Sequence, residues 1–545
     1  MKKWFSLQGN FKICELKTQT LQEVLTNAVS RYGNRPALAY TGETPITYTE
    51  VGDKVASISA LLSREGIHKN DKVAILGDNS PSWALSFYAI TSMGAIAVPL
   101  LTGFSGEEIE NILTHSEASI VLVSSKLKYK ILSDNIKTID LDNLSKISSV
   151  DTGNNSYTVD KDDIAAIIYT SGTTGRSKGV MLTHKNIVFT AEGGKIVQPI
   201  VPGDRFLSIL PLSHTYENTL GLILPFLGGA CIYYLKAALS PTVMMAAFKE
   251  VRPTILLSVP MIIEKVFRNK ILPVFQKNIL IKAFYKLRLV QVLLHKVAGK
   301  KLMDTFGGEL KFFGVGGAKI DPVVEKFLLD AKFPIAIGYG LTETAPLLAG
   351  TSPQTARWQS TGPAIEGVEL KINNPDPITG IGEIWAKGPN VMKGYYKEPE
   401  LTADVITPDG WFKTGDLARL GRENHFYMKG RNKNMILGSG GENIYPEDIE
   451  SLINGFKYVM ESLVVEKNGK LVAMVHFNIE ELEKKYQYLK DKFQDYVNIK
   501  QEELQKELHD YINQKVSRFA RLHAVVVSPQ PFEKTATHKI KRYLY

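Results

Sequence analysis

Cysteine is almost missing. Cys14 and Cys231 are the only two, far apart, with no Cys-x-x-Cys pair and no Cys/His cluster beside either. That excludes a disulfide framework, argues against a zinc site and places the chain inside the cell. A secretory leader is not expected, because Met1 to Gly9 is basic but has no long apolar run behind it. Long unbroken hydrophobic runs are also wanting. Asn79 to Gly106 and Asn218 to Leu235 carry no charge but are interrupted by Pro, Gly and small polar residues. They read as buried helix or strand in a large core, not as membrane spans. Finally, acid is absent between Lys265 and Lys301. Lys265, Arg268, Lys270, Lys277, Lys282, Lys286, Arg288, Lys296, Lys300 and Lys301 fall there, more cations than the whole net charge of +9. Phe267, Ile271, Leu272, Phe275 and Phe284 are among the apolar residues interleaved with them. The pattern predicts basic amphipathic helix. It is read first as a solvated helical face packed on the protein, and second as a docking face for an anionic membrane or an acidic partner. Nucleic acid is not expected, since no nucleic-acid module accompanies the patch.

What is present is ordinary globular material, 44% hydrophobic and 22% charged. At 545 residues the chain is long enough for about three or four core-sized units. Short β-rich runs alternate with helical patterns: "KVAILG" (72–77), "ASIVLVS" (118–124), "IAAIIYT" (164–170), "TILLSVP" (254–260) and "LKFFGVGG" (310–317). This predicts α/β sheets with helices on their faces. The character changes near residue 430. A helix is expected to open at Pro446, a hairpin to turn at Asn468-Gly469 within 462–477, and a long charged helix to run from Glu480 to about Val516. The predicted domains are 1–430 and 431–545, joined by a hinge in the 430s. Asp151 to Asp162 reads as an exposed linker.

The strongest local signal is "YTSGTTGRSKGV" (169–180). Hydroxyls, glycines and a lysine in one short span build a phosphate cradle. It is not a Walker loop: Lys178 precedes Gly179 where Walker needs Gly-Lys, and strand-like "GVMLT" follows where Walker needs a helix. The loop is therefore predicted to join two strands, with the next helix opening at Thr183 or His184.

These residues closely resemble the signature of the adenylate-forming superfamily, which includes acyl-CoA synthetases, luciferases and peptide-synthetase adenylation domains. The other motifs of that family follow in order: "PLSHTYE" (211–217), "GVGGAKI" (314–320), "GYGLTETAP" (338–346), "GEIWAKGPNVMKGYY" (382–396), "WFKTGDLARL" (411–420), "GRNKNMILGSGGENIYPEDIE" (430–450) and "KTATHKIKR" (534–542). The form of the last, and "LLSVPMIIEKVF" (256–267), resemble the bacterial long-chain fatty-acyl-CoA synthetase branch. The chain departs from that branch at Val315, where Ser usually precedes Gly-Gly-Ala; the change is expected to bear on the acyl pocket or on the neighbour of adenine. In many relatives a glycine precedes the mobile lysine; here His538 does.

The resemblance implies a large N-terminal domain of stacked α/β sheets and a small α+β C-terminal domain that rotates about a hinge at Lys433. It implies that Thr170, Ser171, Gly172, Thr173, Thr174, Gly175 and Lys178 cradle the phosphates of ATP. Tyr339, with Gly340 beside it, would stack on adenine against the backbone of Gly316, Gly317 and Ala318. Thr342 and Glu343 would face the α-phosphate, with Glu343, assisted by Thr170, holding Mg²⁺. Asp416 and Arg431 would bind the ribose. His214 would line the acyl entrance, Lys539 would bridge carboxylate and α-phosphate, and Gly440 and Gly441 would let the pantetheine arm of CoA pass. The implied activity is a fatty acid:CoA ligase working through an acyl-adenylate, with medium- to long-chain substrates. An acyl-AMP ligase, or a synthetase that loads acyl carrier protein, is the alternative. Luciferase-type oxidation, and a lipid-binding scaffold with a dead nucleotide site, are the lesser readings. The expected location is cytoplasmic or peripheral on the inner face of the membrane.

Overall fold

The computed structural model describes residues 18–147, 157–171, 177–276, 285, 287–438, 442–478, 493–536 and 539–545. Two mostly parallel sheets dominate the first four hundred residues. One has seven strands, in the spatial order Gly394–Tyr395, Ser177–Thr183, Ile164–Ser171, Ile96–Leu100, Lys72–Leu76, Ala118–Val123 and Lys137–Asp140. The other has eight, in the order Leu347–Gly350, Ile335–Gly340, Phe312–Val315, Ile255–Ser258, Arg205–Ser208, Cys231–Tyr234, Pro36–Tyr40 and Ile46–Thr47. The five strands expected from the β-rich runs are all found.

Between the sheets lies the helix Pro81–Ser92, every residue of which is buried. Ser80 caps its first turn by accepting from the Trp83 amide, and Pro81 is placed where its missing N–H costs nothing. A helix apolar all round must be packed on all sides. This explains why the uncharged run beginning at Asn79 is core and not a membrane span. The second such run winds as a buried helix from Asn218 to Gly228 and then enters the strand Cys231–Tyr234. Among the described residues no helix is long and apolar enough to cross a membrane.

An antiparallel sheet of four strands follows: Glu369–Asn373, Ile381–Lys387, Phe412–Leu420 and Phe426–Arg431. A separate hydrophobic core then forms from Ile444, Ile449, Ile453, Val464, Val475, Leu508, Ile512 and their neighbours. It is built by the helix Pro446–Asn454, the hairpin Val459–Lys467/Lys470–Phe477 and the helix Phe493–Lys515. The hairpin turns at Asn468 and Gly469, both with positive φ, as an Asn-Gly turn requires. The start of the long charged helix, at Glu480, lies outside the described residues, as does the first half of the linker 151–162, residues 151–156.

The basic stretch is not one helix. Pro260–Gln276 forms a continuous helical segment that buries Phe267, Ile271 and Phe275. A second helix runs Arg288–Thr305. Among the described cations of this stretch two are committed to ion pairs, Arg268 with Asp321 at 2.9 Å and Arg288 with Asp330 at 2.6 Å. Lys277, Lys282 and Lys286 lie outside the described residues.

Candidate active site

Parallel strands of the eight-stranded sheet deliver residues to one edge, as open α/β sheets do at their carboxyl ends. Arg205–Ser208 leads into the segment carrying His214. Phe312–Val315 ends at Gly316, Gly317 and Ala318, and Ile335–Gly340 ends in Tyr339, Gly340 and the single turn Thr342–Thr344. That turn is tied down: Thr344 Oγ1 donates to the Pro346 carbonyl at 2.6 Å and accepts from the Leu341 amide at 3.1 Å. Gly340 is there because nothing larger fits. A Cβ on it would lie 1.8 Å from the Pro346 carbonyl oxygen.

Asp416 is buried at the foot of this edge. Tyr339 donates its hydroxyl to Asp416 Oδ2 at 2.9 Å, and Arg431 Nε stands 3.1 Å from Oδ1. Asp416 and Arg431 are directly opposed in the antiparallel pair Phe412–Leu420/Phe426–Arg431, so register alone brings them together. Burial pushes the Asp416 carboxyl up, and the Arg431 guanidinium acts against that. The same carboxylate raises the pKa of Arg431.

Lys539 reaches this site from the second core. It sits on a short hairpin in which the Thr535 amide donates to the Lys539 carbonyl at 2.8 Å. Ala536, next to Thr535, packs against Gly103, 3.5 Å from where a Cβ would be. Desolvation and the Arg431 charge lower the pKa of Lys539, while Asp416 and Glu343 raise it. Its ammonium is in turn felt at His214, whose pKa falls to about 4, chiefly through burial. His214 Nδ1 accepts from the Tyr216 amide at 3.2 Å. The imidazole is therefore neutral at pH 7, with its proton on Nε2. Polar contacts hold the second unit in this orientation. Lys319 meets Asp448 at 2.6 Å, Lys429 meets the same carboxylate at 3.2 Å, and Arg268 donates to the Asn454 carbonyl.

The candidate phosphate cradle is flanked by two strands, as expected. Ile164–Ser171 and Ser177–Thr183 pair antiparallel, with Thr170 opposite Lys178 and Ser171 opposite Ser177. Thr170 and Lys178 therefore rise on the same face of the ribbon. The next helix, His184–Val197, opens with a Thr183/Asn186 capping box. Gly172, Thr173, Thr174 and Gly175 lie outside the described residues, as do Gly440, Gly441 and His538. Lys433 is found on an exposed single turn, Asn432–Asn434, two residues after Arg431 in the stretch that joins the two cores.

Two residues at the candidate site were not singled out in the sequence. Tyr395 lies opposite Val180 on the edge strand, two residues from Lys178 and on its side. The Lys178 ammonium sits 5.2 Å from the Tyr395 ring centroid, and the Tyr395 hydroxyl donates to Glu343 Oε1 at 2.9 Å. Its presence in "MKGYY" was the available signal, but a strand pairing is needed to see which tyrosine faces the loop. Tyr216 is the second. Its ring stands 3.3 Å from the position a Cβ on Gly316 would take. Below it, an apolar cavity of about 50 Å³ runs between the helix His184–Val197 and the sheet, walled by Gly194, Leu220, Leu257, Gly314, Gly338 and Gly350 among others. Val315 does not line it. Alternation along the strand turns Val315 into the core, 1% exposed.

The Glu343 carboxylate fits a hard cation: one oxygen is held by Tyr395, which leaves the other for a metal–triphosphate complex.

With this geometry in hand, comparison with known proteins is direct. A family model described as AMP-binding enzyme matches residues 25–396, well over half of the chain. Fatty acyl-CoA synthetase A of Dictyostelium discoideum is 28% identical over 546 aligned residues, spanning 89% of this chain and 81% of that protein. A chloroplastic long-chain-fatty-acid–acyl-carrier-protein ligase of Arabidopsis thaliana is 27% identical, spanning 88% of this chain and 79% of its own. Among solved structures, O-succinylbenzoate coenzyme A synthetase of Bacillus subtilis in complex with AMP matches with a TM-score of 0.77 at 24% identity, covering 95% of this chain and 97% of that one. That likeness confirms the fold: a large unit of stacked α/β sheets followed by a small α+β unit.

Proposed function

The chain belongs to the AMP-binding enzyme family and is an acyl-activating, AMP-forming ligase, and on that premise we propose that its substrate is a medium- to long-chain fatty acid and its acceptor CoA. The observation that carries the fatty-acid reading is the apolar cavity, which starts at Tyr216 and is lined mainly by glycines and by aliphatic and aromatic side chains, with Gln198 and Thr351 at its wall and no charged group. Such a lining favours a methylene chain and offers no charge to a second ionised group.

The reaction has two steps. First, RCOO⁻ + ATP → RCO-AMP + pyrophosphate. The carboxylate is already a nucleophile, so the barrier is the approach of an anion to a polyanion. Lys539 would hold the carboxylate and α-phosphate together, its charge available in the cleft beside Asp416 and Glu343. Thr170, Ser171, Lys178 and the loop between them would hold the departing phosphates. Tyr339 would present its ring to adenine against Gly316–Ala318, with its hydroxyl locked on Asp416. Asp416 and Arg431 would take the ribose. Glu343 and Thr170 would hold Mg²⁺ with the triphosphate, and the ion would supply charge neutralisation at the phosphoryl oxygens. His214 Nε2–H, with no charge of its own, would donate towards the substrate carboxylate. Second, RCO-AMP + CoA-SH → RCO-S-CoA + AMP + H⁺. Here Lys539 is no longer needed, and rotation of 431–545 about Lys433 would remove it and bring the glycines 440 and 441 to the pantetheine arm.

A pyrophosphate-release assay across carboxylates from acetate to oleate, with and without CoA, tests this reading. Turnover that rises with chain length and yields acyl-CoA supports it; preference for acetate or for an aromatic acid refutes it. The second reading, transfer to acyl carrier protein, is favoured by the likeness to the acyl-carrier-protein ligase. It is tested by offering holo-carrier protein in place of CoA.

A further inference from the structure

The helix Arg288–Thr305 turns an apolar stripe to solvent. Leu289 is 82% exposed, Leu293 62% and Val297 62%. They stand four residues apart, so they align along one face. Single exposed leucines are common on protein surfaces, but a contiguous row marks an interaction site. The opposite face is the one packed on the protein, through His295, Ala298, Gly299 and Leu302. Beside the stripe, and one to two turns further on, Lys296, Lys300 and Lys301 are exposed and have no ion pair among the described residues. The neighbouring cations differ: Arg268 and Arg288 are held by Asp321 and Asp330. Asp304, at the far end, is the one exposed acid of this helix.

We propose that this face docks on an anionic lipid bilayer, with Leu289, Leu293 and Val297 entering the acyl boundary and Lys296, Lys300 and Lys301 lying at the lipid phosphates. The arrangement is that of a helix lying in the plane of the interface, apolar on one part of the face and cationic beside it. Charge decides between occupants. A second copy of the chain would bring the same lysines against each other, whereas a sheet of lipid phosphates neutralises them. A nucleic acid would use the lysines but leave the leucines in water. The contact is peripheral, since no described helix can span a bilayer. It is independent of the acyl specificity, because adsorption needs no turnover.

The test is vesicle sedimentation of the full chain with phosphatidylglycerol–phosphatidylcholine vesicles, with pure phosphatidylcholine as the control. The expected result is adsorption to the anionic vesicles alone, weakened by salt. The triple variant Lys296→Glu, Lys300→Glu, Lys301→Glu and the double variant Leu289→Ser, Leu293→Ser should each lose affinity by about tenfold or more. Melting temperature and ATP-dependent pyrophosphate release with octanoate should stay unchanged in both, since these residues lie outside the cleft. If the double variant fails to fold, the lysine variant decides alone. Failure of the wild type to adsorb, equal adsorption to neutral vesicles, or undiminished adsorption by the variants overturns the proposal. A concentration-dependent dimer abolished by Leu289→Ser, Leu293→Ser would also overturn it, in favour of self-association.

Discussion

The hydroxyl of Tyr395 donates to Glu343 Oε1 at 2.9 Å while the same ring carries the Lys178 ammonium on its face, 5.2 Å from the centroid. One side chain thus joins the two parts of the site proposed above to handle phosphate. Burial and the nearby carboxylate keep the hydroxyl protonated, so it can only donate to Glu343. The ring also fixes where Lys178 can stand.

Tyr395→Phe removes the donor and keeps the ring. A hydrogen bond to a charged group contributes about 1.5–3 kcal/mol. Glu343 should then wander, and acyl-adenylate formation should slow by about tenfold or more, with a raised Mg²⁺ requirement. Pyrophosphate release against Mg²⁺ concentration measures both. A variant that matches wild type at limiting Mg²⁺ would show that Tyr395 only packs.

Lys539→Ala should separate the half-reactions. Loss of one preorganised charge at the reacting phosphate typically costs about 10²–10³ in rate. Adenylation should fall by that factor, while thioester formation from supplied acyl-AMP survives. Lys433→Pro should do the reverse, sparing adenylation and blocking the second step, because Lys433 lies on the exposed turn between the two cores. Equal loss of both half-reactions in either variant removes the assigned role. Lys319→Ala opens the contact with Asp448, a partly exposed pair expected to contribute under about 1 kcal/mol. Its effect should be a modest shift of the balance away from adenylation, read in the same two assays.

Gly340→Ala probes how tightly the Thr342–Glu343 turn is seated. The added methyl would meet the Pro346 carbonyl at 1.8 Å and the Leu347 Cα at 3.1 Å. Backbone atoms cannot swing aside as side chains do, so the strand end must move. We expect a stability loss of about 3 kcal/mol and near-complete loss of adenylation. Thermal melting and pyrophosphate release check this; a variant that melts and turns over like wild type would show that the two backbones are free to part.

Much of this was legible in the sequence, for reasons that differ by residue. The hairpin around the phosphate loop could be read because Lys178-Gly179 and the β-branched residues that follow exclude a Walker helix. Asp416, Arg431, Tyr339, Glu343 and Lys539 were legible only as motif members, since single residues of these types are ordinarily surface or turn. Tyr395 and Tyr216 were not legible, because their roles depend on a cross-strand pairing and on a glycine two strands away. The basic stretch misled in part. Its composition hid that Phe267, Ile271 and Phe275 face the core and that Arg268 and Arg288 are already paired. The buried polar group at the end of "PLSHTYE" gave no sign at all, because an acid in a helical turn reads as surface.

That group is Glu217, 2% exposed, with Oε1 accepting from Ser208 Oγ at 2.6 Å and Oε2 lacking a protein partner. Burial raises its pKa from 4.5 to about 8. The folded chain therefore keeps a proton that the unfolded chain releases. Stability from this carboxyl is whole below pH 4.5 and is lost as pH climbs to about 8. Glu325 and Glu450, each raised to about 7, act in the same sense. His184 and His214, each lowered from 6.5 to about 4, act in the other: the unfolded chain gains protons below pH 6.5 that the folded chain refuses. Glu217→Gln keeps the acceptor for Ser208 and cannot ionise. Its stability relative to wild type should rise between pH 5 and 8.5 by on the order of 4 kcal/mol. Urea midpoints of both proteins across that range give the difference directly, and the other titrating groups cancel in it. Parallel curves would mean that Glu217 ionises in the folded state at its ordinary pKa. A gain on the alkaline side accompanied by slower adenylation would place Glu217 among the groups that hold His214 in position, three residues away on the same turn.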